Sequence, residues 1–418
     1  MRKMLPLLVV GILVLSGLGA FALRSGEEFE LKTTSVSFSK PILETEKEYI
    51  TVNIAETNAV IMEAGKPKLP SYVQTFTFPF GTKIKSVTCT PSNIQTQTIS
   101  KDLKPTPKAV IVGQAVSTSQ ESVNYGTEPY PSNWFEYDVG CGRYKGDLSI
   151  IVEIEFSPIK YHPAEKTVEW AEKANIEIEY EPPSEQPMFR DQYELIVIAP
   201  NEFSDELASL ISHKNDRGIS AKFVGLNEVY GGTGRDNQEK IKYYIKDAME
   251  TWSTSNVLLV GAWHDTKPTY QKLPVRKTHV ESVDPKDNEI FVSDLYYADI
   301  YDGDMNFCSW DADGDDVFGE YYDRDNIDEV DGLPDVYLGR IPARNGDEVT
   351  TIVNKIKEYE NDKAWEKDWF TNLVVLGGDT SPDYETIEGE YINQKVIDMM
   401  DGFSYEKLWV TNGKLKVT

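Results

Sequence analysis

Two periods of hydrophobic and polar residues divide this chain. From about Glu27 to Tyr180, apolar and polar positions alternate. "EYITVNI", "VQTFTFPF", "TKIKSVTC", "LSIIVEIEF" and "NIEIEY" all show period two, the signature of strands with one buried face. Gly and Pro punctuate them, as in "AGKPKLPS". No helical period interrupts, so this half is predicted to be a β-sandwich or barrel. The Pro-rich, acidic "EPPSEQPMFRD" from Glu181 reads as a linker.

Beyond it the period changes. "YELIVIAP", "AKFVGL", "NVLLVGA", "DVYLGRI", "TNLVVLGGD" and "KLWVT" are short apolar runs of the kind found in fully buried strands. Amphipathic segments lie between them. Ser204 is expected to cap a helix carrying Leu207, Leu210 and Ile211 and stopping at Gly218. Asp236 with Glu239 resembles a capping box ahead of Ile241, Tyr244, Ile245, Ala248, Met249 and Trp252. Asn345 with Glu348 opens a helix that buries Val349, Ile352, Val353, Ile356 and Tyr359, and a further helix is expected near Glu388–Met400. Buried strands alternating with helices predict a mainly parallel α/β sheet, with ligands beyond the carboxyl ends of its strands.

Composition narrows the class. The 418 residues are 40% hydrophobic and 27% charged, an ordinary globular balance, with a net charge of −27. That acidity excludes nucleic acid as a partner, because phosphates require clustered Lys and Arg. Arg2 and Lys3 precede an apolar run from Met4 to about Leu18, then the small-x-small Ala20-Phe21-Ala22. These features mark a secretory signal over residues 1–22, with an uncleaved anchor as the competing reading. No other segment approaches the ~20 apolar residues of a membrane span, so no membrane contact is expected after cleavage. Cys89, Cys141 and Cys308 are too few for a disulfide framework and are expected as buried thiols, although a Cys89–Cys141 bridge is conceivable.

The catalogue of chemistry is mostly one of absences. There is no G-x-S-x-G elbow, no H-E-x-x-H, and no phosphate loop opening a helix. His162, His213, His264 and His279 are scattered, which disfavours a zinc site. A His279–Cys308 dyad can be drawn, but Cys308 lies beside Asp302, Asp304 and Asp311, and negative charge opposes a thiolate. His264 follows the end of an apolar strand, a position where sites gather. The strongest local signal is "SWDADGDDVFGEYYD". From Asp311 to Asp335 there are eleven Asp or Glu against the single Arg324. Asp311, Asp313 and Asp315 alternate, Gly314 allows a bend, and Glu320 can complete an oxygen shell for Ca²⁺. The loop is not an EF-hand. An unliganded acidic loop and catalytic carboxylates are the alternatives, the last disfavoured because a proton-holding acid needs an apolar pocket.

"SDLYYADIYDGD", "WDADGDDVFGEY" and "PDVYLGRIPARN" followed by a capped helix, in this order, resemble the gingipain family of secreted cysteine peptidases. "GKPKLPSYVQTFTFPFGTKIKSV" and "FSPIKYHPAEKTVEWAEKANIEIEYE" resemble the β-rich propeptide of that family. The resemblance implies a β-sandwich propeptide domain at 27–182, a linker at 183–191, a caspase-like α/β subdomain at 192–366, and the start of a second subdomain at 367–418. It implies a secreted, extracellular or cell-surface endopeptidase acting on protein or peptide substrates through a Cys–His dyad. The propeptide would rest on the catalytic domain as its partner, and structural Ca²⁺ is implied too. The family's His lies in a Gly-His-Gly segment that is absent here, so the dyad is expected beyond Thr418 and the chain itself is expected to be inactive. A loose match places Glu388 and Glu390 near the family's substrate pocket. The competing expectation is a non-catalytic extracellular calcium-binding adhesion protein.

Overall fold

The computed structural model describes residues 22–24, 27–106, 125–183, 192–281, 289–322, 325–361, 364–378 and 387–415. All but the last residue of the expected signal, and most of the linker, lie outside them. Among the described residues the first part holds eleven strands. They are β1 (Ala22–Arg24), β2 (Glu27–Ser37), β3 (Ile42–Glu46), β4 (Tyr49–Asn53), β5 (Ala59–Ile61), β6 (Leu69–Pro79), β7 (Lys83–Thr98), β8 (Phe135–Tyr144), β9 (Asp147–Phe156), β10 (Ile159–His162) and β11 (Thr167–Glu181). One antiparallel sheet gathers β1, β2, β11, β10 and β7, and a second runs β5-β6-β9-β8. Aromatic pairs join the two sheets: Phe38 stacks on Phe156 at 5.4 Å, and Phe78 leans on Tyr180 at 4.7 Å. The period-two segments supply the inward faces, with Ile154, Phe156, Ile176 and Ile178 buried.

The second part begins with β12 (Leu195–Ala199) and α1 (Ser204–Asp216). It continues through β13 (Ala221–Gly225), the short α2 (Leu226–Val229), α3 (Asn237–Trp252) and β14 (Asn256–Val260). A long inserted segment carries β15 (Arg276–Glu281), β16 (Glu289–Ser293), β17 (Tyr321–Tyr322) and β18 (Asp325–Asn326). The chain then returns to the sheet at β19 (Tyr337–Ile341) and α4 (Gly346–Asn361). The sheet order is β13-β12-β14-β19, all parallel. The central strands β12 and β14 are largely buried, as their unbroken apolar runs require, whereas the edge strand β19 exposes Tyr337 and Gly339. Val197, Val260 and Ile341 pack with Leu207, Leu210, Val349 and Val353 of α1 and α4. Ile196, Ile198 and Leu259 pack with Ile241 and Ile245 of α3, in a core continuous with that of the β-rich part.

The chain starts at β12, adds β13 on one side and β14 on the other. The order therefore reverses between β12 and β14, which opens a crevice at their carboxyl ends. Residues after α4 form a separate parallel pair, β20 (Asn372–Gly377) and β21 (Ser404–Trp409), linked by α5 (Glu388–Met399).

One helix start differs from expectation. α1 begins at Ser204, but Ser204 does not cap it, since its backbone is already helical at φ −59° and ψ −41°. A capping residue needs extended backbone. Here Pro200 starts a tight turn, Asn201–Phe203, that feeds the helix directly. Asp236 does cap α3: it is extended and accepts from the Glu239 amide at 2.8 Å.

Candidate functional site

The acidic loop is shaped by its own backbone. Trp310 and Asp316 take left-handed conformations at φ 63° and 69°, and Gly314 sits at 79°. Asp313 accepts from the Asp315 amide and Asp315 from the Val317 amide, so the loop folds back in steps of two residues. One oxygen each from Asp311, Asp313 and Asp315 then lie within 4.8 Å of one another. Asp313 and Asp315 are exposed, whereas Asp311 is 5% exposed. Burial pushes the Asp311 carboxyl up, but Arg235 beside it more than compensates and holds it below the usual carboxylate range. Arg235 pairs with Asp311 and with Glu239, and lies 3.6 Å from Asp316.

Sequence reading missed two members of this site. Arg235 lies 76 residues from Asp311, at the start of α3. Asp328, 2% exposed, spans the loop from beneath by accepting from the Ala312 and Glu320 amides at 2.8 and 2.7 Å. The Glu320 amide is thereby fixed, but its carboxylate is not grouped with the other three.

The drawn Cys–His pair is not assembled. His279 sits with Nδ1 3.3 Å from the Phe318 carbonyl oxygen. Cys308 is 5% exposed, and burial followed by the charge of Asp299 pushes its thiol well up. Cys89 is likewise raised by burial to about 12, and Cys141 is raised by burial and by Asp335. All three thiols are free and buried. Lys242 pulls the Cys308 thiol down without offsetting burial and Asp299, so none of the three is set to be a thiolate near neutral pH.

His264 lies just beyond the end of β14, and its hydrogen bonds are with its own loop. It is partly exposed and accepts from the Thr266 amide at 3.2 Å, with Tyr270 edge-on at 6.1 Å. Glu388 and Glu390 open α5. Glu390 is 8% exposed, and its two oxygens accept from the Thr411 amide and hydroxyl at 2.9 and 2.6 Å. It ties the loop after β21 to the start of α5, above the end of β20.

A further group of carboxylates lies where the two parts of the chain meet. Strand β8 presents Gly140-Cys141-Gly142 to the inserted segment. The Cys141 amide donates to Asp331 Oδ2 at 2.8 Å, the Arg143 amide to the Pro334 carbonyl at 2.9 Å, and Arg143 Nε to the Asp335 carbonyl at 2.8 Å. Gly140 bridges Asp302. The approach needs glycine: a Cβ on Gly140 would stand 2.7 Å from Leu333 Cδ1, and one on Gly142 2.8 Å from Leu333 Cβ. Below lie Asp299 and Asp335, both 0% exposed, and Lys242, also 0% exposed.

A parallel α/β sheet with its crevice at the strand ends, preceded by a β-rich part seated on the inserted segment, is an architecture on which hydrolases are built. The sequence model of peptidase family C25 matches residues 190–416, more than half of the chain, and the chain belongs to that family of cysteine peptidases, the family of the gingipains. Among solved structures it is similar to gingipain K from Porphyromonas gingivalis, in work on zymogenic latency. The identity is 15%, the overlay covers 40% of this chain and 94% of that one, and the TM-score is 0.29. A complex of the pro- and mature domains of Porphyromonas gingivalis RgpB gives 12% identity over 41% and 83%, with a TM-score of 0.27. A structure described as a protease gives 20% over 45% and 33%, with a TM-score of 0.27. Overlays this loose do not bear on the fold. No curated protein matches.

Proposed function

We propose that this chain is the propeptide and the first part of the catalytic domain of a secreted cysteine endopeptidase of the gingipain type. Its nucleophile and base are carried by residues outside this sequence. The observation that carries the reading is the family match over 190–416 in a chain whose three cysteines are all buried and free. The β-rich part, residues 27–182, acts as the propeptide resting on the α/β part, and substrates are proteins or peptides. Among the described residues no helix is long and apolar enough to cross a membrane; export rests on the basic, apolar and small-residue pattern of residues 1–22. Glu388 and Glu390 at the start of α5 are the candidates for substrate contact, and Glu390 has both oxygens engaged by Thr411. Ca²⁺ is the structural ion of the 311–320 loop: Asp311, Asp313 and Asp315 would hold it, Glu320, whose carboxylate lies outside that group, would join only by turning toward it, and the ion's chemistry is that of a fixed cross-link.

Assay of the purified 418-residue protein on peptide substrates tests the peptidase reading. The expected result is no hydrolysis, together with three thiols that resist iodoacetamide until the protein is denatured. Hydrolysis that disappears in Cys308→Ala would overturn it.

A further inference from the structure

The carboxylates under β8 are in excess of the cations that face them. Asp299 and Asp335 are wholly buried and Asp331 is half-buried. Each accepts hydrogen bonds on one side: Asp299 from Trp310 Nε1 at 2.7 Å, and Asp335 from the Ile300 and Tyr301 amides at 2.6 and 2.8 Å. Asp331 accepts from the Leu333 and Cys141 amides, both at 2.8 Å. One oxygen of Asp299 and one of Asp335 are buried without a nitrogen or hydroxyl donor, and the Cys308 and Cys141 thiols add only weak hydrogen bonds to these two carboxylates. Groups facing them from neighbouring elements are Lys242 of α3, the Cys308, Tyr301 and Asp302 side chains of the inserted segment, and Cys141 of β8. Arg143 spends its guanidinium on the Asp335 and Gly146 carbonyls. At the rim, Asp304, Glu329 and Lys85 line a cavity of about 250 Å³ with Asp331 and Asp302, and Lys85 pairs with Glu181. Among the described residues Lys242 is the one cation wholly buried within this group, against three carboxylates.

We propose that this contact is a proton-operated latch: β8 seats tightly on the α/β part while the carboxylates beneath it are protonated, and its hold weakens as they ionise. Charge that has lost its water and has one buried partner among three is costly. A proton, which supplies the missing donor to an orphaned oxygen, is the cheapest remedy. The titration of the group agrees. Burial, then repulsion from Asp299, raises Asp331 to about 8. Burial raises Asp335 to about 7 against the opposing pull of the Tyr301, Cys141 and Ile300 hydrogen bonds. Asp299 is raised by burial despite Lys242, and Lys242 itself is lowered by burial to about 8.

The sign follows from linkage. A carboxyl whose pKa is higher when β8 is seated favours seating at low pH, and that preference is lost as pH rises through the seated value. The loss begins above the lower, unseated value and is complete just above the seated values of about 7 and about 8, so about pH 6 to 8.5 spans its upper part. The latch concerns the contact alone and stands whether or not the peptidase reading holds.

Hydrogen exchange on the full chain between pH 6 and 8.5, corrected for intrinsic rates, reads it at the Cys141 and Arg143 amides, which donate across the contact. Their protection is expected to fall by roughly tenfold or more over that range, while amides of β12 and β14 hold theirs. Asp331→Asn and Asp335→Asn, which mimic the protonated groups, are expected to flatten the response. If one variant does not fold, the wild-type series and the other variant still decide the matter. Protection at Cys141 and Arg143 that ignores pH would overturn the proposal. So would an equal loss in β12 and β14, or an unchanged slope in a folded variant.

Discussion

At the residue scale the acidic loop shows how much a local pattern tells and where it stops. The alternation of Asp311, Asp313 and Asp315 was readable because neighbours in sequence converge when the backbone folds in steps of two. Arg235 and Asp328 were not, because their membership depends on where α3 and the returning chain arrive. Arg235 changes the chemistry: it already neutralises Asp311, so a cation must share or displace a guanidinium. Ca²⁺ is expected to raise the melting temperature, since a ligand that binds only the folded state stabilises it by mass action. EDTA should reverse the shift, and Asp311→Ala/Asp313→Ala should abolish it. Calorimetry with and without Ca²⁺ checks this, and a shift that survives in the double variant would place the ion elsewhere.

At the element scale the central strands of the sheet and the helix starts at Asp236 and Asn345 were legible from period and cap residues, whereas the expected Ser204 cap does not form. Two helices share a start that the capping pattern only half disclosed. In both "RDNQE" and "RNGDE" the cap residue accepts from the amide three positions on, and the Glu accepts from the preceding Arg amide and its Nε. Asp236 does more than Asn345, because it also holds Arg276, 5% exposed, through two hydrogen bonds at 2.8 and 2.9 Å. Asn345→Ala is expected to cost about 1 kcal/mol. Asp236→Ala should cost about 2–3 kcal/mol, since it strands a buried guanidinium, a value reduced because Asp236 is 39% exposed. Urea midpoints on the two variants test the difference, and equal losses would refute it. Strand β8 escaped the sequence reading for the opposite reason. Its "VGCGR" looks like turn chemistry, yet its glycines serve close approach to another part of the chain, which no local period reveals.

At the scale of the whole molecule, the two parts share one core through α3 and the inserted segment. They should therefore melt together while β8 is seated. Gly140→Val is expected to split a single calorimetric transition into two, because its side chain would collide with Leu333 and Asp331. One unchanged transition would show that the contact tolerates the intrusion. The inserted segment itself, 261–336, separates two strands that lie side by side, β14 and β19. Closing a loop of that length costs only about 0.8 kcal/mol more entropy than closing an ordinary crossover of roughly 30 residues. The cost falls instead on time. β13 reaches β12 across residues 200–220 and β14 reaches it across 200–255, while β19 must wait for the longest closure, across 261–336. The strand that completes the sheet is thus the one expected to join last during folding, after the segment that carries the acidic loop and the seat for β8 has begun to organise.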